Sequence, residues 1–354
     1  MKKIAFLANN LDIGGIERAI LNYLKYIDKS KYDITLFLDD NSGIYYDELP
    51  KEIRVVGFNM AKKGNILIRK ATNFVKLAYF SLKYHNKFDF AASFTTTVRS
   101  NTVLAKKFSK NNAIWYHGDY WNDETEAEKF ISYSNSLKYK KVVFVSDFLK
   151  KKYQKYVDSN QKLYVINNPI DYKTMIKNSE INLGLKKKRM TLINVGRHED
   201  EAKNISMLIH VVNKLLKQGY DFDLWLIGDG EDNEKYRKMV KEFKINDHVT
   251  FFGKQNNVFP FYKQADALLV SSRMEGNPVV YLESKVMGVP VISTDVTDAK
   301  TELDGFGIVS NNDEESFYQA IKYFLDNGFH LEKKFDPIRY NESTISKLYE
   351  VIDQ

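Results

Sequence analysis

Residues 271–294, SSRMEGNPVVYLESKVMGVPVIST, restrict the fold of this chain more than any other stretch. They follow ALLV at residues 267–270, a short apolar run typical of a strand buried in a parallel sheet. Gly276 and Pro278 then interrupt regular structure, and proline is well tolerated in the first turn of a helix, where its missing N–H costs nothing. We therefore predict a helix over residues 279–287 and a new strand from residue 290, which together form the strand–helix–strand unit of a parallel α/β sheet.

The start of that helix has the properties of a phosphate-binding site. A helix that begins at the carboxyl end of a parallel strand presents free backbone N–H groups and the positive end of its dipole. Glu275 precedes the helix and Glu283 lies within it, and carboxylates accept hydrogen bonds well from sugar hydroxyls. Two glutamates at this spacing are ordinarily a helix-start acid and a solvated side chain, but the apolar residues on both sides of Glu283 favour a binding role.

The segment EGNPVVYLESKVMGVPVIST resembles the E-x7-E region of the family 4 retaining glycosyltransferases. This resemblance implies the GT-B fold, in which two Rossmann-like α/β domains face a central cleft. It assigns Glu275 to the donor sugar as a catalytic residue and Glu283 to the nucleotide ribose. It also implies that the donor phosphates face the backbone of four consecutive residues, Gly276, Asn277, Pro278 and Val279.

The length of the chain suits two domains, because 354 residues are too many for one ordinary core. Residues 167–171, NNPID, resemble the exit of the family's first domain. We therefore expect an N-terminal acceptor-side domain over residues 1–168 and a C-terminal nucleotide-sugar-binding domain over residues 169–336. Apolar residues at helical spacing predict a terminal helix, and the resemblance implies that residues 337–354 pack back onto the first domain. Residues 172–189 are interpreted as a polar connection.

The second domain carries basic side chains after its first predicted strand. Arg197 and Lys203 follow that strand, and a forked guanidinium and a point-charge ammonium suit a diphosphate. For either residue alone, a solvated surface charge is the ordinary interpretation. The resemblance assigns both residues to catalysis at the leaving diphosphate. It also assigns three residues to the nucleotide. Two of them, Gly228 and Gly230, form a glycine loop, and the third, Lys254, begins the segment after residue 253.

The first domain contributes a glycine loop and a histidine. Gly14 and Gly15 follow the first predicted strand and allow a backbone to approach a ligand closely. Arg18 stands where a dinucleotide-binding loop needs its third glycine, which disfavours a nicotinamide cofactor. His117 follows another predicted strand at the edge where α/β sheets place ligands, although a structural histidine is equally compatible with that position. The resemblance implies that Gly15 and His117 lie near the donor sugar, with His117 positioning the substrate and not necessarily acting as a base.

Charge is distributed unevenly along the chain. Residues 1–170 carry a net charge of +11 and residues 171–354 a net charge of −4, which gives the overall +7. Residues 53–88 contain no Asp or Glu, and their apolar and basic residues recur at helical spacing. A basic amphipathic helix can lie on an anionic bilayer, but the same pattern is compatible with a surface helix packed on the sheet. Nucleic acid is disfavoured as a partner, because no known binding motif accompanies the basic run.

Composition limits the other possibilities. The chain has no cysteine, which excludes disulfides and thiolate metal sites. No group of His, Asp and Glu has the spacing of metal ligands, and no apolar run is long enough to span a membrane. We expect a cytoplasmic protein that is peripheral at the inner face of the plasma membrane.

The resemblance implies a retaining, metal-independent hexosyltransferase that needs no cofactor. Its donor would be a nucleotide-diphosphate sugar, with UDP as the expected nucleotide. Its acceptor would be a saccharide or a lipid-diphosphate-linked saccharide in the synthesis of capsule, lipopolysaccharide or another surface polysaccharide. A nucleotide-sugar epimerase on the same scaffold and a non-catalytic GT-B partner subunit remain as alternatives.

Overall fold

A computed structural model describes residues 1–12, 14–118, 124–134 and 136–354. The chain divides into two compact units. The first unit consists of Met1–Pro169 together with Ile338–Gln354, and the second consists of Ile170–Pro337.

The first unit is built around a parallel sheet whose strands alternate with helices. In chain order its elements are β1 (Lys2–Ala8), α1 (Gly15–Tyr26), β2 (Tyr32–Leu38), β3 (Arg54–Gly57), α2 (Ile66–Lys83), β4 (Phe90–Ser93), α3 (Arg99–Phe108), β5 (Asn112–Tyr116), α4 (Glu124–Ser134), β6 (Lys141–Phe144), α5 (Asp147–Tyr153) and β7 (Lys162–Val165). The seven strands are ordered β3-β2-β1-β4-β5-β6-β7. The direction of winding therefore reverses between β1 and β4, which is the topology of a doubly wound sheet.

The second unit repeats this plan with six parallel strands in the order β10-β9-β8-β11-β12-β13. Its elements are α6 (Tyr172–Ser179), β8 (Met190–Val195), α7 (Asp200–Lys203), α8 (Ile205–Lys217), β9 (Phe222–Ile227), α9 (Asn233–Phe243), β10 (Val249–Gly253), α10 (Phe259–Gln264), β11 (Ala267–Val270), α11 (Val279–Met287), β12 (Val291–Thr294), α12 (Ala299–Glu302), β13 (Gly307–Ser310) and α13 (Glu314–Asn327). The last helix is α14 (Pro337–Asp353).

Burial explains why these segments form central strands. Every residue of β4, β5, β6, β11 and β12 is buried. Strands covered by helices on both faces need near-continuous apolar runs, and alternation is not expected. The two α/β sheets agree with the predicted fold class, and the helix predicted over residues 279–287 has the observed bounds of α11.

The terminal helix α14 belongs to the first unit. Leu348, Val351 and Ile352 are buried in the core of that unit. The Lys141 ammonium donates to the Val351 carbonyl at 2.6 Å, which ties the end of the helix to β6. The helix therefore completes the core formed by the first 169 residues.

One sequence interpretation was wrong. Residues 172–179 are not part of a polar connection, because they form the helix α6. The Asp171 carboxylate caps this helix by accepting from the Thr174 backbone N–H at 3.3 Å, and Met175 is buried. An N-cap and a buried residue on a short, mostly polar helix leave only a faint periodic signal in the sequence.

Candidate active site

The candidate site of the second unit lies where its sheet reverses direction. β8 pairs with β9 on one side and with β11 on the other. The loops that follow β8 and β11 therefore emerge side by side at the carboxyl edge of the sheet. This is the position at which doubly wound folds bind their ligands.

Hydrogen bonds join these two loops directly. The Ser271 hydroxyl donates to the Lys203 carbonyl at 2.8 Å, and the Arg273 backbone N–H donates to the Ala202 carbonyl at 2.8 Å. Thr294, at the end of β12, donates through its hydroxyl to the Ser272 carbonyl at 2.7 Å. The loops are thus held in a fixed relation before any ligand binds.

A charged pair stands at the centre of this arrangement. The Lys203 Nζ lies 2.5 Å from the Glu275 Oε1, and the Ser272 hydroxyl donates to the same carboxylate oxygen at 2.8 Å. The Glu275 side chain is 12% exposed and that of Lys203 is 29% exposed. The structure therefore brings together two of the predicted catalytic residues, from two different loops.

The segment from Gly276 to Val279 forms the entry to α11. Pro278 occupies the N-cap position and Val279 is the first helical residue. Because Pro278 has no side-chain acceptor, it leaves the N–H groups of the first turn without the cap that serine or aspartate would supply. The Thr297 hydroxyl donates to the Gly276 carbonyl at 3.0 Å and fixes the loop. An anion at this helix start would meet backbone donors.

Asn277 links the helix entry to a buried pair of charges. Its side-chain nitrogen donates to the Glu302 Oε1 at 3.1 Å, and the Lys285 Nζ lies 4.0 Å from the Glu302 Oε2. Burial raises the pKa of Glu302 and lowers the pKa of Lys285. The Asn277 Oδ1 is buried and has no hydrogen-bond partner among the residues that the structure describes.

Glu283 is oriented by a tyrosine from the preceding helix. The Tyr262 hydroxyl donates to the Glu283 Oε2 at 2.9 Å. Tyr262 is fully buried, and burial together with the neighbouring carboxylate raises its pKa. The hydroxyl therefore stays protonated and holds the carboxylate of Glu283 in one orientation.

The predicted glycines Gly228 and Gly230 are required by the protein itself. A Cβ on Gly228, whose φ is +152°, would lie 1.8 Å from the Gly196 carbonyl oxygen. A Cβ on Gly230 would lie 2.2 Å from the His198 carbonyl oxygen. The two glycines are therefore needed because the backbone of the loop after β9 packs directly against the backbone of the loop after β8.

Arg197 and Lys254 are less constrained than the other predicted residues. The Arg197 side chain is 75% exposed and its Nη1 lies 3.1 Å from the Glu199 Oε2. Lys254, which follows β10, is also exposed. The structure does not hold either side chain in the cluster around Lys203 and Glu275.

In the first unit, His117 directly follows β5 and Gly15 is the first residue of α1. The His117 ring packs 4.6 Å from the ring of Phe94, and its Nε2 is buried without a hydrogen-bond partner in the described parts of the chain. Burial lowers the pKa of His117 to about 3. The imidazole is therefore neutral at neutral pH and suits a hydrogen-bonding role.

Sequence reasoning missed Tyr262, Ser272 and Glu302, which orient Glu283, Glu275 and Asn277 respectively. Ser272 lies three residues before Glu275, which is a signal available in the sequence. Tyr262 and Glu302 are 21 and 25 residues from their partners along the chain, and no local pattern marks such contacts.

The described residues contain neither a metal-binding group nor a helix that could span a membrane. Among them, no group of three or more His, Asp or Glu side chains is arranged to hold a metal ion. None of the helices in the described ranges is both long enough and apolar enough to cross a membrane.

Two family models cover nearly the whole chain. The model described as "Glycosyltransferase Family 4" matches residues 13–174, and the model described as "Glycosyl transferases group 1" matches residues 175–342. The chain belongs to the group 1 and family 4 glycosyltransferases. The predicted family is thereby confirmed, and the residues around Lys203 and Glu275 lie in the half matched by the group 1 model.

This glycosyltransferase is similar to proteins of known activity and structure. It is 24% identical over 350 residues to the Campylobacter jejuni N-acetylgalactosamine-N,N'-diacetylbacillosaminyl-diphospho-undecaprenol 4-alpha-N-acetylgalactosaminyltransferase, a match that covers 92% of this chain and 91% of that protein. Its fold matches Anabaena HepE, solved with UDP and glucose, with a TM-score of 0.75 at 14% identity over 99% of this chain and 100% of that one. It also matches a TarM variant from S. aureus, solved in complex with ligands that include UDP, with a TM-score of 0.77 at 13% identity over the full length of both chains. The fold of this glycosyltransferase is GT-B.

Proposed function

We propose that this glycosyltransferase moves a hexose from a UDP-linked donor to a saccharide or lipid-diphosphate-linked acceptor, with retention of the anomeric configuration. The observation that carries the proposal is the contact of Lys203 with Glu275 beside the uncapped start of α11. This arrangement combines a cation, backbone donors and a sugar-binding carboxylate at the switch point of the sheet. Those are the groups that a nucleotide-diphosphate sugar needs.

The donor would bind with its diphosphate at the start of α11. Lys203 and the first-turn N–H groups would neutralise the phosphates, and the exposed Arg197 would close on them from the loop after β8. Glu283, oriented by Tyr262, would accept from the ribose hydroxyls. The UDP bound in the structures of HepE and TarM supports the choice of nucleotide.

The transfer step exchanges two bonds to oxygen at the anomeric carbon. The bond from that carbon to the β-phosphate oxygen breaks, and the diphosphate leaves with the electron pair. The acceptor hydroxyl oxygen bonds to the same carbon on the same face, and its proton passes to the departing phosphate. Lys203, Arg197 and the helix N–H groups stabilise the charge that develops on the diphosphate, which is usually a large contribution to catalysis. Glu275 holds the sugar.

The acceptor is inferred from relatives. The Campylobacter relative is named for an acceptor on diphospho-undecaprenol, and another relative, from Escherichia coli, is named a lipopolysaccharide 1,6-galactosyltransferase. We infer a role in the assembly of a bacterial surface polysaccharide, with the reaction taking place at the cytoplasmic side of the membrane and without a metal ion.

Two alternative functions, an epimerase and a non-catalytic partner subunit, can be distinguished from a transferase. A nucleotide-sugar epimerase would convert the sugar nucleotide without an acceptor. A non-catalytic partner subunit would keep the fold and lose the site residues. The ordered contacts of Lys203, Glu275 and Glu283 favour an active enzyme over such a subunit.

The proposal is tested by incubating the purified chain with UDP-hexoses, EDTA and short undecaprenyl-diphosphate saccharides. We expect release of UDP that depends on the acceptor, and a product whose new linkage has the same anomeric configuration as the donor. Glu275→Gln should lower the rate of transfer by roughly a hundredfold or more, whereas Glu201→Gln, which alters an exposed acid of the neighbouring helix α7, should leave it unchanged. Transfer with inversion, or turnover that needs an added divalent cation, would refute those parts of the mechanism.

A further inference from the structure

The helix α2 turns an apolar face toward solvent. Its large apolar side chains Leu67, Phe74, Val75 and Leu82 are between 65% and 80% exposed. At 100° per residue these four positions lie within one side of the helix. Two further large apolar residues near this face, Ile68 and Tyr79, are also exposed. Contiguous apolar surface of this kind marks an interaction site, whereas single exposed apolar residues are ordinary.

The opposite side of α2 already anchors the helix to the protein. The Phe80 ring lies 4.8 Å from the ring of the buried Phe58. The Asn73 side chain accepts from the Ala61 N–H at 2.7 Å and donates to the Ala61 carbonyl at 3.0 Å. Arg69 donates to the Lys62 carbonyl at 3.0 Å. One face of α2 therefore packs against the first unit, and the exposed apolar face takes no part in the core.

Positive charge borders the exposed face. Residues 53–88 contain no Asp or Glu. On the helix, Lys70 and Lys83 fall on the two flanks of the apolar side, and Lys63 and Lys87 are exposed just before and after it. An apolar stripe with a basic border matches the boundary between acyl chains and anionic headgroups, because long lysine side chains reach up to the phosphates while apolar groups enter the hydrocarbon.

We propose that α2 lies in the plane of an anionic lipid surface and inserts Leu67, Phe74, Val75 and Leu82 below the headgroups. The lysines Lys63, Lys70, Lys83 and Lys87 then contact lipid phosphates. A second copy of the chain is a poorer occupant, because a twofold interface would place the same basic borders against each other. This inference goes beyond the proposed function, since it requires neither a sugar nucleotide nor an acceptor.

Vesicle binding of the full chain tests the inference without any catalytic readout. The protein is mixed with phosphatidylcholine vesicles that contain or lack phosphatidylglycerol, and the bound fraction is measured by flotation. We expect binding to the anionic vesicles, weakened by salt. The combined variant Leu67→Ser, Phe74→Ser and Leu82→Ser should lower the partition coefficient by more than about tenfold. Each of Lys70→Gln and Lys83→Gln should lower it about fivefold.

The control replaces another exposed apolar residue, in the second unit. Tyr323→Ser on α13 should leave vesicle binding unchanged. Because every substituted side chain is exposed, all variants should keep the thermal unfolding temperature of the wild type. UDP binding should also be the same in all of them, which separates a failure here from a failure of the proposed function.

The absence of cysteine allows the depth of the helix to be measured. A polarity-sensitive fluorophore on Phe74→Cys should shift to the blue on anionic vesicles, and the same label on Tyr323→Cys should not. The inference is overturned if the wild type shows no preference for anionic vesicles, or if the serine variant binds as well as the wild type. Dimerisation that the serine variant abolishes, without vesicle binding, would overturn it in favour of a second copy.

Discussion

Lys203 and Glu275 form an ion pair with a separation of 2.5 Å, although they are 72 positions apart in the sequence. The pair joins the loops after two adjacent strands, β8 and β11, and Ser272 donates to the same carboxylate oxygen. The position of this pair explains how an acidic and a basic side chain from distant segments of the chain would act on one ligand. In the proposed reaction, the lysine faces the diphosphate and the glutamate faces the sugar.

This relationship predicts coupled losses of activity. Glu275→Gln and Lys203→Met should each lower kcat/KM by roughly a hundredfold or more, because each removes a group that stabilises the transition state. The double variant should lose less than the product of the two single losses, since either change alone leaves the partner charge unpaired. A double-mutant cycle on initial rates measures this coupling.

A matched control is the exposed pair of Lys263 and Glu180, whose charged atoms lie 2.6 Å apart. Lys263→Met should change kcat/KM by less than about twofold, because exposed ion pairs contribute little. Independent, fully multiplicative effects at Lys203 and Glu275 would show that the two residues do not act as a unit.

The contact of Tyr262 with Glu283 predicts a loss of nucleotide affinity. Tyr262→Phe removes the donor that orients the Glu283 carboxylate and should raise the Kd for UDP by about tenfold, with a smaller change in kcat. The matched control is Tyr318→Phe, which removes the hydrogen bond from another buried tyrosine to Gln218. Calorimetric titration with UDP compares the two variants, and equal affinities would exclude a positioning role for Tyr262.

The glycine loop after β9 predicts a large difference between two glycine substitutions. Gly228→Ala should lower the free energy of unfolding of the second unit by more than about 3 kcal/mol, because the new Cβ would overlap the Gly196 carbonyl. Gly219→Ala introduces alanine at a φ of +93° where no atom lies within 4 Å, and should cost only about 1 kcal/mol. Denaturant titration measures the free energy of unfolding of both variants. Similar decreases in the two would mean that backbone strain alone, and not the overlap with the Gly196 carbonyl, determines the loss of stability.

The burial of His117 predicts a dependence of stability on pH. Its pKa falls from 6.5 to about 3 on folding, so the unfolded chain binds the proton more readily and acidification below 6.5 favours unfolding. Between about pH 7 and pH 5 this single group should cost the folded state about 2 kcal/mol. The cost should be absent in His117→Asn. Denaturant titrations at the two pH values give the difference, and parallel losses in wild type and variant would contradict a buried, neutral His117.

Much of the architecture follows from local pattern in the sequence. The apolar run at residues 267–270 predicted the strand β11, and the segment that follows it predicted the helix α11. The helix α6 was missed because its signal depends on the cap at Asp171 and one buried methionine. The basic segment 53–88 was interpreted in two ways, and α2 fits both, since Phe80 packs inward while Phe74 is exposed.

The site is less accessible to local reasoning than the fold. The sequence predicted Glu275, Lys203 and Glu283 but not the residues that orient them. Hydrogen bonds from Tyr262 or to Glu302 depend on how separate helices pack, and helix packing has no short-range signature. Likewise, Gly228 and Gly230 have a clear steric role only once the opposing Gly196 and His198 carbonyls are located.

The proposed function is tested most directly by calorimetric titration of the metal-free protein with UDP, GDP, ADP and CMP, repeated with Glu275→Ala and Glu283→Ala. We expect UDP to bind with the highest affinity. Glu283→Ala should weaken UDP binding at least about tenfold, and Glu275→Ala should leave UDP binding within about threefold of the wild type. Failure of all four nucleotides to bind, or equal loss of UDP affinity in both variants, would contradict the proposed function.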